Sequence, residues 1–226
     1  MLFCLRSCHV SLEDKLQSEP SPELISSSIS MPGRRAAIDR STRETQVTLR
    51  LDLDGTGGAD VRTGVGFFDH MLELVAAHGL FDLTVRAEGD LETGAHHTVE
   101  DVGICLGAAL AQALGDKRGL IRYGSAVVPM DEALVLVALD LSGRPYFAYE
   151  GGPVGEAVAG FEASLVPEFF RALANNAKLT LHVRVLARGD FHHTVEAVFK
   201  GFARALRQAV SVDPRAYGVP STKGVL

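Results

Sequence analysis

The pentapeptide His-His-Thr-Val-Glu is written twice, at residues 96–100 and 192–196, and the likeness continues into the stretches that follow. Ten of the nineteen positions from His96 to Leu114 match those from His192 to Val210. Apolar residues recur in both at a spacing near 3.6, Val102, Ala109 and Leu110 against Val198, Ala205 and Leu206, which is the period of a half-buried helix. Matching segments lie upstream. Each copy has a strand-like run before its motif (81–90 and 178–190) and a helix-like stretch before that (67–79 and 166–177). Each opens on an alternating segment (44–57 and 132–145). The order strand, strand, helix, strand, helix is therefore expected twice. Two units are fewer than a solenoid needs. The expectation is one internally duplicated α+β domain, helices packed on mixed sheets, with repeats over about 40–125 and 126–220.

Residues 1–30 stand apart. "LQSEPSPELISSSIS" is rich in Ser, Pro and Glu and has no apolar period, so a disordered extension is expected ahead of a folded domain over 31–226. A net charge of −6 argues against a nucleic-acid or anionic-membrane surface, and no apolar run approaches the roughly 20 residues of a membrane span. Cys4, Cys8 and Cys105 form no disulfide framework, which points to a reducing, cytoplasmic setting.

A duplicated helix start could preserve Thr98 and Thr194 for capping, with Asp101 three residues after Thr98. Capping gives no reason for adjacent histidines; metal binding does. Neighbouring helical residues point about 100° apart, so His96 and His97 serve two ions more readily than one. Glu100 lies four residues from His96 and three from His97, on the same side. The two motifs thus offer His96, His97, Glu100, His192, His193 and Glu196. His70 precedes the first motif by 26 residues and Glu168 the second by 24, each in its copy's first helix, which makes eight candidate ligands for two ions. Imidazole and carboxylate without thiolate suit Mn, Fe, Co or Zn. His78 reads as a surface or capping residue and His182 as structural.

Basic residues point to an anionic substrate. Ser221, Thr222 and Lys223 in the tail "VPSTKGVL" form a candidate phosphate cradle. Lys200 stands one helical turn past Glu196, and Arg122 and Arg144 lie near loops where a guanidinium can bind phosphate in bidentate fashion. No glycine-rich nucleotide-binding motif is present.

The stretches "GVGFFDHML", "HHTVEDVGICLG", "PMDEALV", "DLSGRPY", "HHTVEAVFKGFARALRQAV" and "PSTKGVL" together resemble the imidazoleglycerol-phosphate dehydratases of histidine biosynthesis, from about Arg34 to Leu226. The resemblance implies a fold like the second domain of ribosomal protein S5. It implies two manganese ions per active site and a 24-subunit homo-oligomer whose sites neighbouring chains complete. The implied reaction dehydrates imidazole glycerol phosphate to imidazole acetol phosphate. Carried over by position, all eight ligands named above are metal-binding, and Glu44, Glu100 and Glu196 are catalytic. Glu44, His70, Arg122, Arg144, Lys200, Ser221, Thr222 and Lys223 contact substrate or phosphate. Two departures stand out: Glu168 where many relatives have His, and Ala95 where an aspartate is common, which predicts the loss of a carboxylate behind an imidazole. A dinuclear phosphohydrolase and a non-catalytic metal-binding shell protein are the competing readings.

Overall fold

The structure, a computed structural model, describes residues 33–224; the expectation for residues 1–30 lies outside them. Each copy begins with an antiparallel hairpin. In the first, β1 (Arg35–Ser41) pairs with β2 (Thr45–Asp52); in the second, β5 (Tyr123–Met130) pairs with β6 (Ala133–Asp140). Alternation sets their faces: Thr45, Val47, Leu49 and Leu51 point inward from β2, as Ala133, Val135, Val137 and Leu139 do from β6.

A strand–helix–strand unit follows. The first copy has β3 (Ala59–Arg62), α1 (Gly66–Gly79) and β4 (Asp82–Gly89). The second has β7 (Tyr146–Glu150), a small hairpin of β8 (Ala157–Val158) and β9 (Phe161–Glu162), then α3 (Leu165–Ala177) and β10 (Thr180–Ala187). β3 runs parallel to β4 and β7 to β10, the pairing that a helical crossover permits. The sheets have equivalent orders, β1-β2-β4-β3 and β5-β6-β10-β7. Each copy closes on its motif helix, α2 (His96–Leu114) or α4 (Phe191–Val210). The duplicated α+β reading holds, with one more sheet strand per copy than the sequence pattern indicates and, in the second copy, the β8–β9 hairpin besides.

The helices tie the copies together. α2 lies on the first sheet and α4 on the second, but α1 packs on α4 and α3 on α2. Each short helix therefore docks on the other copy's motif helix. Phe169 and Phe170 of α3 meet Phe199 of α4 at ring separations of 4.9–5.4 Å in the core. α2 and α3 approach so closely that a Cβ at Gly103 would lie 2.7 Å from the Phe169 carbonyl oxygen, and one at Gly107 2.5 Å from that of Leu173. Only glycine fits there.

Candidate active site

α1 and α3 end alike, each on a left-handed residue, Leu80 and Lys178, whose N–H returns to the helix. Counting back ten residues from each cap reaches His70 and Glu168, so the two are structural equivalents. Because α1 crosses α4, His70 meets the second motif. His70 Nε2 lies 3.2 Å and His192 Nε2 2.6 Å from the same oxygen of Glu196, Oε1. Lys200 Nζ stands 2.6 Å from the other oxygen. Burial opposes charge on Glu196, whose side chain is 8% exposed, yet the Lys200, His192 and His70 partners outweigh it and hold the carboxyl at about 2. The carboxylate is thus ionised and faces two imidazoles and an ammonium.

The mirror arrangement is looser. His96 Nε2 is 3.6 Å from Glu100, one turn along α2. Glu168 lies on α3, which packs on α2, but its carboxylate is paired with Arg171 one turn away. The second histidines turn elsewhere. His97 Nδ1–H donates to Asp90 at 3.0–3.1 Å, and His193 Nδ1–H to Glu132 at 3.1–3.2 Å. Facing a carboxylate, each Nδ1 carries the proton, and in the neutral ring each Nε2 keeps its lone pair. Asp90 raises the His97 pKa and Glu132 that of His193. The hydrogen bond from the Asp190 N–H, followed by that from its own N–H and that from His193, holds Glu132 at about 2.

Glu44 precedes β2 on an exposed turn. Its carboxylate is 3.9 Å from His97 Nδ1, and its main-chain oxygen accepts from the Asp90 N–H at 3.1 Å. The turn is anchored to the motif helix, since Thr45 Oγ1 and Arg40 both donate to Asp101, the residue after Glu100.

The basic residues divide into two places. Arg122, Arg144, Ser221, Thr222 and Lys223 line one cavity of about 750 Å³ with Tyr123 and Pro220. Arg122 is committed within it, gripping Asp140 at 2.7 and 3.0 Å and donating to the Pro220 carbonyl at 2.7 Å, which fixes the tail. Arg144 is exposed. Lys200 belongs to the Glu196 cluster and is not among the residues lining this cavity.

Residues 63–206 match the family model for imidazoleglycerol-phosphate dehydratase. The chain belongs to the imidazoleglycerol-phosphate dehydratase family. It is 58% identical over 193 residues to the dehydratase of Acetivibrio thermocellus, covering 85% of this chain and 99% of that one. It is 51% identical over 216 residues to that of Trichodesmium erythraeum, covering 95% and 99%. Among solved structures, the dehydratase of Staphylococcus aureus superposes with a TM-score of 0.72 at 38% identity, over 79% of this chain and 99% of that one. The Pyrococcus furiosus enzyme, in complex with (S)-C348, gives 0.73 at 38%, over 84% and 100%. Neither the phosphohydrolase nor the shell-protein reading is favoured.

Three sequence expectations need correction in this dehydratase. The Ala95 departure does not strip His97 of a carboxylate, because Asp90 supplies one from the end of β4. Thr98 caps nothing: its hydroxyl is buried with no hydrogen-bond partner, and α2 starts at His96 without a side-chain cap. Thr194 instead accepts from the Gly189 N–H at 3.2 Å, and Asp190 caps α4 by accepting from the His193 N–H. Sequence reasoning also passed over Asp90, Glu132 and Asp190, and gave Asp101 a capping role where it accepts from Arg40 and Thr45. The Gly-Asp pair that closes both strand-like runs, 89–90 and 189–190, was the available signal.

Proposed function

We propose that this chain converts imidazole glycerol phosphate into imidazole acetol phosphate and water, a carbon–oxygen lyase step of histidine biosynthesis. The observation carrying the reading is the docking of each short helix on the other copy's motif helix, which gathers His70, His192 and Glu196 from both halves.

The donor set fits divalent ions. Two imidazole nitrogens and a carboxylate oxygen, from His70, His192 and Glu196, lie within 4.8 Å of one another. His70, His192 and Glu196 would hold one ion; His96, Glu100 and Glu168 would hold the second. His97 and His193, turned away with Nε2 free for coordination, would complete sets on neighbouring copies of a homo-oligomer, 24 copies on the family resemblance. When bound, manganese or a similar ion supplies Lewis-acid stabilisation of charge on the imidazole ring.

The hydrogen lost from carbon has no adjacent carbonyl to acidify it, so a poised base matters. Glu44 suits acid–base work, because its carboxylate accepts no hydrogen bond among the described residues and its turn is anchored to Asp90 and Asp101. Hydroxide leaves the ring-bearing carbon and departs as water; the neighbouring carbon gives up its proton, and the resulting enol tautomerises to the ketone. Arg144, Ser221, Thr222 and Lys223 would take the phosphate, with Arg122 holding their loop and Lys200 supplying charge beside the imidazole end. No helix among the described residues is long and apolar enough to cross a membrane.

The test is turnover by purified protein stripped of metal and titrated with Mn²⁺. Ketone formed without phosphate release is the expected result. Phosphate release would establish a hydrolase, and two bound ions without turnover would leave a metal-binding shell.

A further inference from the structure

Glu44 has a counterpart in the second copy. Glu44 immediately precedes β2 and Glu132 immediately precedes β6, and each lies against the Gly-Asp pair before its motif helix. Both bind the N–H of that aspartate, by different atoms. Glu44 uses its main-chain oxygen, 3.1 Å from the Asp90 nitrogen, whereas Glu132 uses its carboxylate, 2.8 Å from the Asp190 nitrogen.

The hairpin turns explain the difference. The Thr42 N–H donates to the Thr45 carbonyl at 2.8 Å, continuing the Ser41–Gln46 pairing. Arg43 and Glu44 therefore make the first turn, as Asp131 and Glu132, between Met130 and Ala133, make the second. The two are equal in length and differ in fold. The first turn folds on Thr42, whose hydroxyl accepts from the N–H groups of Glu44 and Thr45 at 3.1 and 3.0 Å. That fold brings the Glu44 carbonyl to Asp90 and leaves its side chain 56% exposed. The second turn has Met130 in place of Thr42 and a left-handed Asp131 (φ 47°), and there the Glu132 carboxylate folds back in place of a carbonyl. The same carboxylate then meets His193 Nδ1, while Asp190, relieved of that task, caps α4. In the first copy the aspartate itself, Asp90, holds the imidazole.

We propose that duplication has divided one glutamate position into two roles, a free acid–base group at Glu44 and a positioning residue at Glu132, which fixes the His193 ring with Nδ1 protonated and Nε2 presented for a divalent ion. A carboxylate behind a ligand histidine sets both its orientation and its basicity. Asp131, Glu132 and His193 have donor atoms within 4.8 Å of one another, and so could be read as a metal cluster in themselves. Glu132 is already engaged, accepting from His193 Nδ1 at 3.1–3.2 Å and from the Asp190 N–H at 2.8 Å, while Asp131 stands 3.9 Å from Nε2, so the holding role of Glu132 is the one the hydrogen bonds describe.

The proposal rests on reading His193 as a ligand, and the experiment separates the two claims. In metal-free full-length protein, ¹⁵N NMR of the histidine rings at alkaline pH reports the tautomer directly. His193 is expected as Nδ1–H in the wild type and in Glu132→Gln, whose amide oxygen still accepts, and to shift toward Nε2–H in Glu132→Ala. An unchanged tautomer in a folded Glu132→Ala protein overturns the proposal, whatever metal does. Mn²⁺ titration then tests the consequence. Glu132→Ala should weaken one of the two ions about 10–100-fold, Glu132→Gln should recover most of that, and Glu44→Ala should change neither affinity. Loss of a third ion in both Glu132 variants, beyond two that persist, would mark Glu132 as a ligand and contradict the positioning role. A wild type that binds no Mn²⁺ would sink the metal reading while leaving the tautomer result to stand alone.

Discussion

Gly107→Ala tests whether close approach of α2 and α3 sets the Glu168 side of the site. The added methyl would lie 2.5 Å from the Leu173 oxygen, 2.8 Å from Asn176 Cβ and 3.0 Å from the Ala177 nitrogen. Ordinary contact begins near 3.4 Å, so the helices must separate by about 0.9 Å. Two of the three neighbours are backbone atoms, which cannot rotate away. Alanine is worth about 1 kcal/mol over glycine inside a helix, while overpacking a tight interior costs about 1–3 kcal/mol. With backbone as the obstacle the cost sits near the upper end, about 2–3 kcal/mol, for a net loss of about 1–2 kcal/mol. Urea denaturation of metal-free protein at one fixed concentration should show a lower midpoint at unchanged slope. Gly66→Ala, at the start of α1 with nothing within 4 Å of its added methyl, is the control and should not destabilise. Mn²⁺ titration should show one ion weakened, since α3 carries Glu168, and the other spared, since α1 and α4 are untouched. A Gly107→Ala chain as stable as wild type, binding both ions equally well, would refute the close-packing argument.

Glu44→Gln keeps the turn but removes the base, so kcat should fall by about 10²–10⁴ in steady-state assays while both Mn²⁺ affinities persist. Arg144→Ala removes an exposed cation from the tail cavity and should raise KM with little change in kcat. In metal-stripped protein Glu196 is held at about 2 against an ordinary 4.5, so its contribution is complete above pH 4.5 and is lost as pH falls toward 2. Lys200→Met should flatten this acid limb in stability-versus-pH curves, besides raising KM.

What the sequence made legible was local. The boundaries of α1 and α3 follow from their apolar period, and α2 and α4 from the motif and what trails it. β3 and β7 escaped notice because a four-residue strand and one with a single faint inward stripe carry almost no alternation. The pairing of ligands was legible only along one helix, as His192 with Glu196. That His70 joins them depends on α1 crossing to the other copy's helix, a tertiary choice that no period in the chain records. Thr98 failed as a cap for the same reason: its hydroxyl points into a packed interior beside Gly89, where tertiary contact overrides a local signal. Glu132 and Asp90 were hidden by distance in sequence, because turns rather than helices bring them to the imidazoles.

The most direct test of the account is manganese anomalous diffraction from crystals grown with Mn²⁺. Two peaks per chain are predicted, one among His70, His192 and Glu196 and the other among His96, Glu100 and Glu168, each also touched by the second histidine of a neighbouring copy's motif. A peak coordinated by both histidines of one pair, or ions bound away from these residues, would contradict it.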